Sequence, residues 1–249
     1  MKFAALIIGD EILSGRRADK HLAKVIELLN ARGLQLSWAR YCGDDFDQLT
    51  AILRETFASG DVVFSFGGIG ATPDDRTRQA AAAALGLELA LHPEAEQEIR
   101  ARFGADITPQ RLQMGVYPQG SAIIPNPFNR IPGFAIQQHY FTPGFPVMAW
   151  PMVEWVLDTH YAHLHHRADH VELAVNIQGA NEGQFIELMQ RILDDWPGIN
   201  VFSLPTIPAP GEPYSLELGV KGSKAAAHAA LALIETELRQ RGLSYQPVG

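Results

Sequence analysis

The stretch Met1-Lys2-Phe3-Ala4-Ala5-Leu6-Ile7-Ile8-Gly9-Asp10-Glu11 decides how the rest of the chain is read. Phe3 to Ile8 is a continuous apolar run of strand length that stops at a glycine, the pattern of a strand buried on both faces of a parallel sheet. A helix is therefore expected next. Leu22, Val25, Ile26 and Leu29 recur at helical spacing, and Arg32-Gly33 supplies a basic last turn and a terminating glycine. Leu34 to Cys42 reads as a second strand. Leu49, Ile52, Leu53 and Phe57 mark a second amphipathic helix, and Asp61 to Phe66 a third strand stopped by Gly67-Gly68. The succession is βαβαβ, which specifies an α/β fold with a parallel sheet and right-handed crossovers.

Beyond it, Asp75 to Leu85 and Pro93 to Phe103 read as helices, the second with a proline in its first turn. Pro109, Pro118, Pro125, Pro127 and Pro132 exclude long regular elements from 104 to 138, leaving loops with short strands at Ala122-Ile123-Ile124 and Phe134-Ala135-Ile136. His139 to Thr142 reads as a last strand, followed by Pro143-Gly144-Phe145-Pro146 and a helix over Val147 to His160. The polar, aperiodic Tyr161 to Arg167 reads as a solvated linker, which gives domains at 1–165 and 166–249. In the second, strands over Val171 to Ile177, Asn200 to Pro205 and Tyr214 to Val220 combine with helices carrying Phe185 to Trp196 and Ala227 to Leu238. That is βαββα, a small α+β sandwich of the ferredoxin-like kind.

Composition bounds the function. With 249 residues, 47% apolar and 19% charged, the chain can bury a large core and is neither a coiled coil nor disordered. A net charge of -8 excludes a global positive field for nucleic acid or an anionic membrane. Residues 166–249 hold 6 Lys plus Arg against 10 Asp plus Glu, which argues against RNA binding there and leaves self-association, hence a homo-oligomer, as that domain's expected role. The single cysteine, Cys42, allows no disulfide framework or thiolate metal cage and reads as a small strand residue. No apolar run approaches the roughly 18 residues of a membrane span, and the N-terminus lacks signal-peptide features, so a cytoplasmic protein is expected.

In an open parallel sheet, ligands bind outside the carboxyl ends of the strands. The loops there are Gly9-Asp10-Glu11-Ile12-Leu13-Ser14-Gly15, Gly43-Asp44-Asp45, Gly67-Gly68-Ile69-Gly70-Ala71-Thr72-Pro73-Asp74-Asp75 and Pro143-Gly144-Phe145-Pro146, all along one edge. Glycines let backbone N–H groups approach a ligand, and Thr72 to Asp75 leads into a helix N-terminus, which suits a phosphate. Asp10, Glu11, Asp44, Asp45, Asp74 and Asp75 would repel a bare phosphate, so a divalent cation such as Mg²⁺, Mn²⁺ or Co²⁺ is expected with it. A single aspartate at a helix start is commonly only a cap, and Gly-Gly after a strand commonly only a turn. The coincidence at three successive strand ends favours a site. The third loop is no dinucleotide fingerprint, and Lys221-Gly222-Ser223-Lys224 is no P-loop. His160, His163, His165, His166 and His170 form a linker cluster more simply solvated than zinc-binding, and Trp150, Trp155 and Trp196 occupy core positions.

The first, third and fourth loops resemble the three signatures of the CinA N-terminal domain, of the molybdopterin-binding superfamily that includes MoaB and MogA proteins, with order, spacing and strand context agreeing over residues 1 to about 160. Gly179-Ala180-Asn181-Glu182 and the domain around it resemble the CinA middle domain. The resemblance implies a three-layer αβα molybdopterin-binding-like fold, a nucleotide or pterin ligand and, as in some CinA-type domains, a metal-dependent pyrophosphatase acting on ADP-ribose or FAD. The family's C-terminal deamidase domain has no counterpart up to Gly249, so nicotinamide mononucleotide deamidation is expected to be absent.

By position, Asp44 and Asp75 match the paired acidic residues of the adenylyltransferase relatives and are the expected metal ligands, with Asp10 and Asp74 expected to orient the nucleophile. Gly67, Gly68 and Gly70 match the phosphate loop, and Gly9, Glu11, Ser14, Gly15, Thr72, Pro143 and Gly144 complete the expected ligand contacts. Asn126 and Gly133, in the 126–133 loop, are expected to hold the ligand's ring or ribose. Arg76 and Arg130 are further candidate phosphate contacts, although arginines so placed are more often surface residues. The chain departs from the family at His21, Ala71, Asn129-Arg130 and Val147-Met148-Ala149. The alternative is a protein that binds a molybdopterin or nucleotide without turning it over.

Overall fold

The computed structural model describes residues 1–167, 170–207 and 214–248, and the chain divides into two compact units, Met1–His166 and Arg167–Gly249. Strand β1 (Phe3–Ile8) is buried along its whole length. A one-turn helix α1 (Asp10–Leu13) and helix α2 (His21–Asn30) lead to β2 (Leu36–Cys42), and α3 (Phe46–Ser59) leads to β3 (Val62–Phe66). Then follow α4 (Thr77–Leu85), β4 (Leu89–Leu91), α5 (Pro93–Phe103), α6 (Pro109–Gln113), β5 (Val116–Pro118), β6 (Ala122–Ile124), β7 (Gly133–Ile136), β8 (His139–Thr142) and α7 (Pro146–His160).

The main sheet runs β2-β1-β3-β8-β7-β6. Its first four strands are parallel, but β7 pairs antiparallel with both β8 and β6. The sheet is parallel-dominated, as expected, with an antiparallel edge: β7 and β8 are joined by a hairpin too short for the crossover that parallel neighbours require. Alternate residues of the buried strands face opposite layers. Ala5, Ile7, Phe64 and Phe66 pack with Val25 and Leu29 of α2 and with Met152, Val153 and Val156 of α7. Ala4, Leu6, Ile8 and Val63 pack with Leu49 and Leu53 of α3 and Ala80 and Ala81 of α4. The result is a three-layer αβα arrangement.

Residues 161–166 are not a solvated linker. Tyr161 is buried and shares a 3.0 Å hydrogen bond with Tyr140. The His165 ring meets the Leu157 carbonyl at 3.2 Å, and the His166 amide donates to the Arg32 carbonyl. Short elements supply the other differences from expectation: α1, α6 and the β4–β5 pair follow no apolar period long enough to read.

The second unit comprises β9 (His170–Gln178), α8 (Ile186–Asp195), β10 (Asn200–Thr206), β11 (Ser215–Ser223), α9 (Lys224–Gln240) and β12 (Tyr245–Val248). Its antiparallel sheet runs β10-β11-β9-β12. The expected βαββα is completed by β12 to βαββαβ, the full ferredoxin-like unit. Val175, Ile177, Leu216 and Leu218 pack with Leu188, Ile192, Ile234 and Leu238 in a core of their own, and Trp196 packs against it. Among the described residues no helix is long and apolar enough to cross a membrane.

His139 opens β8 fully buried, its Nε2 2.9 Å from the Thr56 hydroxyl and its ring 4.0 Å from that of Phe57. Burial pushes its pKa from the ordinary 6.5 down to about 3. The native state keeps the ring neutral where the unfolded chain takes up a proton, so its stabilisation is full above pH 6.5 and is lost as pH falls toward 3. Urea midpoints should fall on acidification through that window, by at most about 1.4 kcal/mol per pH unit for this one proton. The His139→Gln variant, which keeps a polar partner for Thr56, should show a shallower dependence; an unchanged one would assign the acid sensitivity to other groups.

Candidate functional site

Parallel β1, β2, β3 and β8 end at the same edge of the sheet, and their loops enclose a cleft of about 410 Å³. Its walls include Gly9 and Glu11 after β1, Asp44 after β2, Gly67, Gly68, Gly70, Thr72, Asp74 and Asp75 after β3, and Pro143 and Gly144 after β8. Four loops distant in sequence are therefore brought together where the sequence placed them.

The turn after β3 is held from below. The Gly67 amide donates to the Thr142 carbonyl at 3.0 Å, and buried Thr77 gives its hydroxyl to the Gly67 carbonyl and its amide to the Gly68 carbonyl, both at 3.0 Å. Gly67 and Gly68 have φ of 103° and 68°, in the left-handed region that favours glycine. A side chain on Gly67 would strike the Ile8 carbonyl, and one on Gly68 the Thr77 hydroxyl. Gly144 passes directly over this turn, its Cβ position 3.5 Å from the Gly67 Cα. The Gly67 amide is thus committed to the sheet and cannot serve a phosphate, a correction to its expected role. The amides of Gly68, Ile69 and Gly70 find no acceptor among the described residues.

The carboxylates are not equivalent. Asp10 and Asp44 clasp each other's loops: the Asp10 amide donates to Asp44 Oδ2 at 3.0 Å and the Asp44 amide to Asp10 Oδ1 at 3.2 Å. Burial, and then the charges of Asp10, Glu11 and Asp74, push the Asp44 carboxyl up against the opposing pull of the Asp10 amide. Asp74 is exposed, and the nearby Thr72 hydroxyl, its own amide and the Arg76 charge hold its carboxyl below the usual range. Asp75 turns back into its own loop, where Oδ2 accepts the Thr72 amide at 2.8 Å and the Thr72 hydroxyl. Asp45 is the N-cap of α3, accepting the Gln48 amide at 2.8 Å. Asp10, Asp44, Asp45 and Asp74 line an open depression beside the cleft, with Arg76 facing them. Among the described residues no three His, Cys, Asp or Glu side chains gather closely enough to hold a metal ion. No third such side chain joins Asp44 and Asp75 among the described residues, and Oδ2 of Asp75 is engaged by Thr72.

Four expected ligand contacts lie outside the cleft. Ser14 and Gly15 form the turn that ends α1, the hydroxyl 3.4 Å from the Glu11 carbonyl. Asn126 is buried with its side chain consumed inside its loop, donating to Asn129 Oδ1 and the Ile131 carbonyl and accepting the Phe128 amide. Gly133 is a packing glycine, since a Cβ there would strike the Phe141 carbonyl and crowd Met152. Arg130 pairs with Glu98 at 2.9 Å and lines a separate cavity of about 440 Å³. Sequence reasoning missed Arg17, which lines the cleft together with an adjoining cavity of about 340 Å³ walled by Lys20, His21 and Phe145. His21 is buried against Phe66, its ring centroid 4.4 Å away, with Nε2 3.1 Å from the Gly144 carbonyl; burial lowers its pKa. The departure from the family at His21 is the signal in the sequence.

The family model described as "Probable molybdopterin binding domain" matches residues 4–163. A CinA-like protein of Anaeromyxobacter sp. (strain Fw109-5) is 32% identical over 229 residues, covering 83% of this chain and 54% of its own. One of Escherichia coli O17:K52:H18 is 36% identical over 161 residues, covering 62% of this chain and 40% of its own. The chain thus spans about half the length of the curated relatives it matches. The crystal structure of CinA from Thermoplasma acidophilum, described as of unknown function, superposes with a TM-score of 0.58 at 28% identity, over 64% of this chain and 98% of that one.

Two left-handed glycines test the packing of the β3 turn. Gly15 has open space around its Cβ position, whereas Gly68 does not. Gly15→Ala should cost only the backbone term, about 1 kcal/mol, and Gly68→Ala about 3 kcal/mol because Thr77 must also yield. Equal losses on urea denaturation would show that Thr77 moves aside freely.

Proposed function

The chain belongs to the molybdopterin-binding domain family, in its CinA-like branch, and from that premise we propose that the cleft binds a nucleotide- or pterin-like ligand by its phosphates and hydrolyses a diphosphate within it. The observation that carries the reading is the meeting of unpartnered glycine amides and a like-charged carboxylate rim in one cleft. Amides receive phosphate oxygens, and the cleft volume lies within the about 300–1,000 Å³ of small-molecule sites. The carboxylates would oppose the same phosphate unless a cation stood between them.

The donor set fits a hard divalent ion such as Mg²⁺, Mn²⁺ or Co²⁺ in one respect and limits it in another. Asp44 offers hard oxygen in a setting whose neighbours, Asp10, Glu11 and Asp74, already disfavour its charge. The described residues do not complete a coordination shell, so such an ion would take its remaining oxygens from ligand phosphate and water, the usual habit of Mg²⁺. When bound it would neutralise charge that develops on the phosphoryl oxygens. In this reading Gly68 and Gly70 fix the phosphates, Asp74 at the open mouth orients the attacking water, Asp10 holds the Asp44 loop in place, and Asp75 keeps the β3 turn in shape through Thr72.

A second reading, binding without turnover, is favoured by the commitment of Asp75 to Thr72. Incubating the purified protein with ADP-ribose or FAD and each of the three metals separates the two. The hydrolase reading expects AMP, dependent on metal and reduced by about 100-fold or more in Asp44→Asn, the scale set by losing one electrostatic element of a phosphoryl site. Tight binding of either compound without AMP under every metal would establish the second reading instead.

A further inference from the structure

Arg78, the second residue of α4, is only 4% exposed. Its guanidinium lies beneath the β3 turn. One terminal nitrogen donates to the Gly70 carbonyl at 2.5 Å, and the other to the carbonyls of Gln113 and Val116, the latter at 3.3 Å. All three acceptors are neutral backbone oxygens, and buried Nε finds no partner among the described residues. Asp75 favours the charged form through space but forms no ion pair with it among the described residues, and burial lowers the pKa. A guanidinium remains protonated even so.

A buried cation that meets only carbonyl dipoles is costly, and an apolar residue of similar volume would hold α4 in the core at less cost. On the same turn the amides of Gly68, Ile69 and Gly70 have no acceptor among the described residues. The Gly70 carbonyl shares its peptide unit with the Ala71 N–H, so a charge-assisted bond to that oxygen polarises the unit and strengthens the N–H as a donor. The carboxylates occupy the rim, whereas this positive charge lies under the floor.

We propose that Arg78 is the buried counter-charge of the phosphate site, a positioning residue that stabilises a pyrophosphate group seated on the Gly68–Ala71 turn without touching it. The proposal rests on the phosphate reading of the cleft and adds the source of the positive potential that reading needs.

Charge and hydrogen bonding can be separated at this position. Arg78→Lys keeps the charge but gathers its donors on one nitrogen without the guanidinium fork, whereas Arg78→Gln loses the charge and offers two donors on a shorter side chain, so both disturb the carbonyl contacts and only one removes the charge. Each variant and the wild-type chain would be titrated calorimetrically with inorganic pyrophosphate in the presence of Mg²⁺, and its thermal unfolding recorded. Binding should weaken by less than about threefold in the lysine variant and by about tenfold or more in the glutamine variant, a difference on the order of 1.4 kcal/mol per decade, whichever unfolds at the lower temperature. Arg78→Met, which packs without charge, is the second neutral variant and should lose binding likewise even if its melting temperature rises. Undiminished binding in a folded neutral variant, or equal losses in the lysine and glutamine variants, would reduce Arg78 to a staple for residues 113–116 and overturn the proposal. Wild-type protein that fails to bind pyrophosphate overturns the phosphate reading and this proposal with it. Pyrophosphate binding with the lysine–glutamine contrast intact but no AMP from any dinucleotide overturns the hydrolase reading alone and supports the role of Arg78.

Discussion

The close approach of bare backbone to bare backbone at the end of β3 is the constraint on which the rest depends. Gly67 lies against the Ile8 carbonyl, Gly68 against Thr77, and Gly144 over Gly67, with no room for a side chain at either of the first two. Thr77 alone satisfies two carbonyls of the turn, and Thr142 anchors its first amide. With those groups spent on structure, the amides that remain unspent are the ones along the cleft. The fold thereby divides the glycines into those that hold the turn and those that serve its open side.

The cleft separates charge along its depth. Carboxylates of Asp10, Asp44 and Asp74 face the open depression, while the Arg78 guanidinium is sealed under the turn. The pKa of Asp44 is raised by burial and by that crowding, the electrostatic mark of a rim carrying more negative charge than its own cations offset. Such an arrangement favours a ligand whose anionic groups reach the floor and whose cationic companion stays at the mouth.

Much of this was legible in the residues. Six consecutive apolar residues ending at Gly9 identify a strand covered on both faces, and the glycine–aspartate turns mark the strand ends, because period and punctuation are local properties. Strands β6 and β7 are also legible, but not their direction, which the short hairpin to β8 decides. The final strand escaped because Tyr245 to Val248 is short, includes a proline and has little apolar character until it is laid beside β9. Gly133 and Asn126 read as ligand contacts because a glycine demanded by packing looks the same in sequence as one demanded by a ligand, and a polar side chain does not announce that its own loop uses it. Arg78 was passed over for the converse reason: its burial is a tertiary fact, and an arginine near a helix start ordinarily faces water.

The mutual hydrogen bonds of Asp10 and Asp44 carry one more consequence. Each carboxylate accepts the other loop's amide, so the β1 and β2 turns are cross-braced and neither can swing without freeing both. A guest entering here meets a mouth whose ordering entropy was lost during folding, leaving more of its contact energy to appear as affinity.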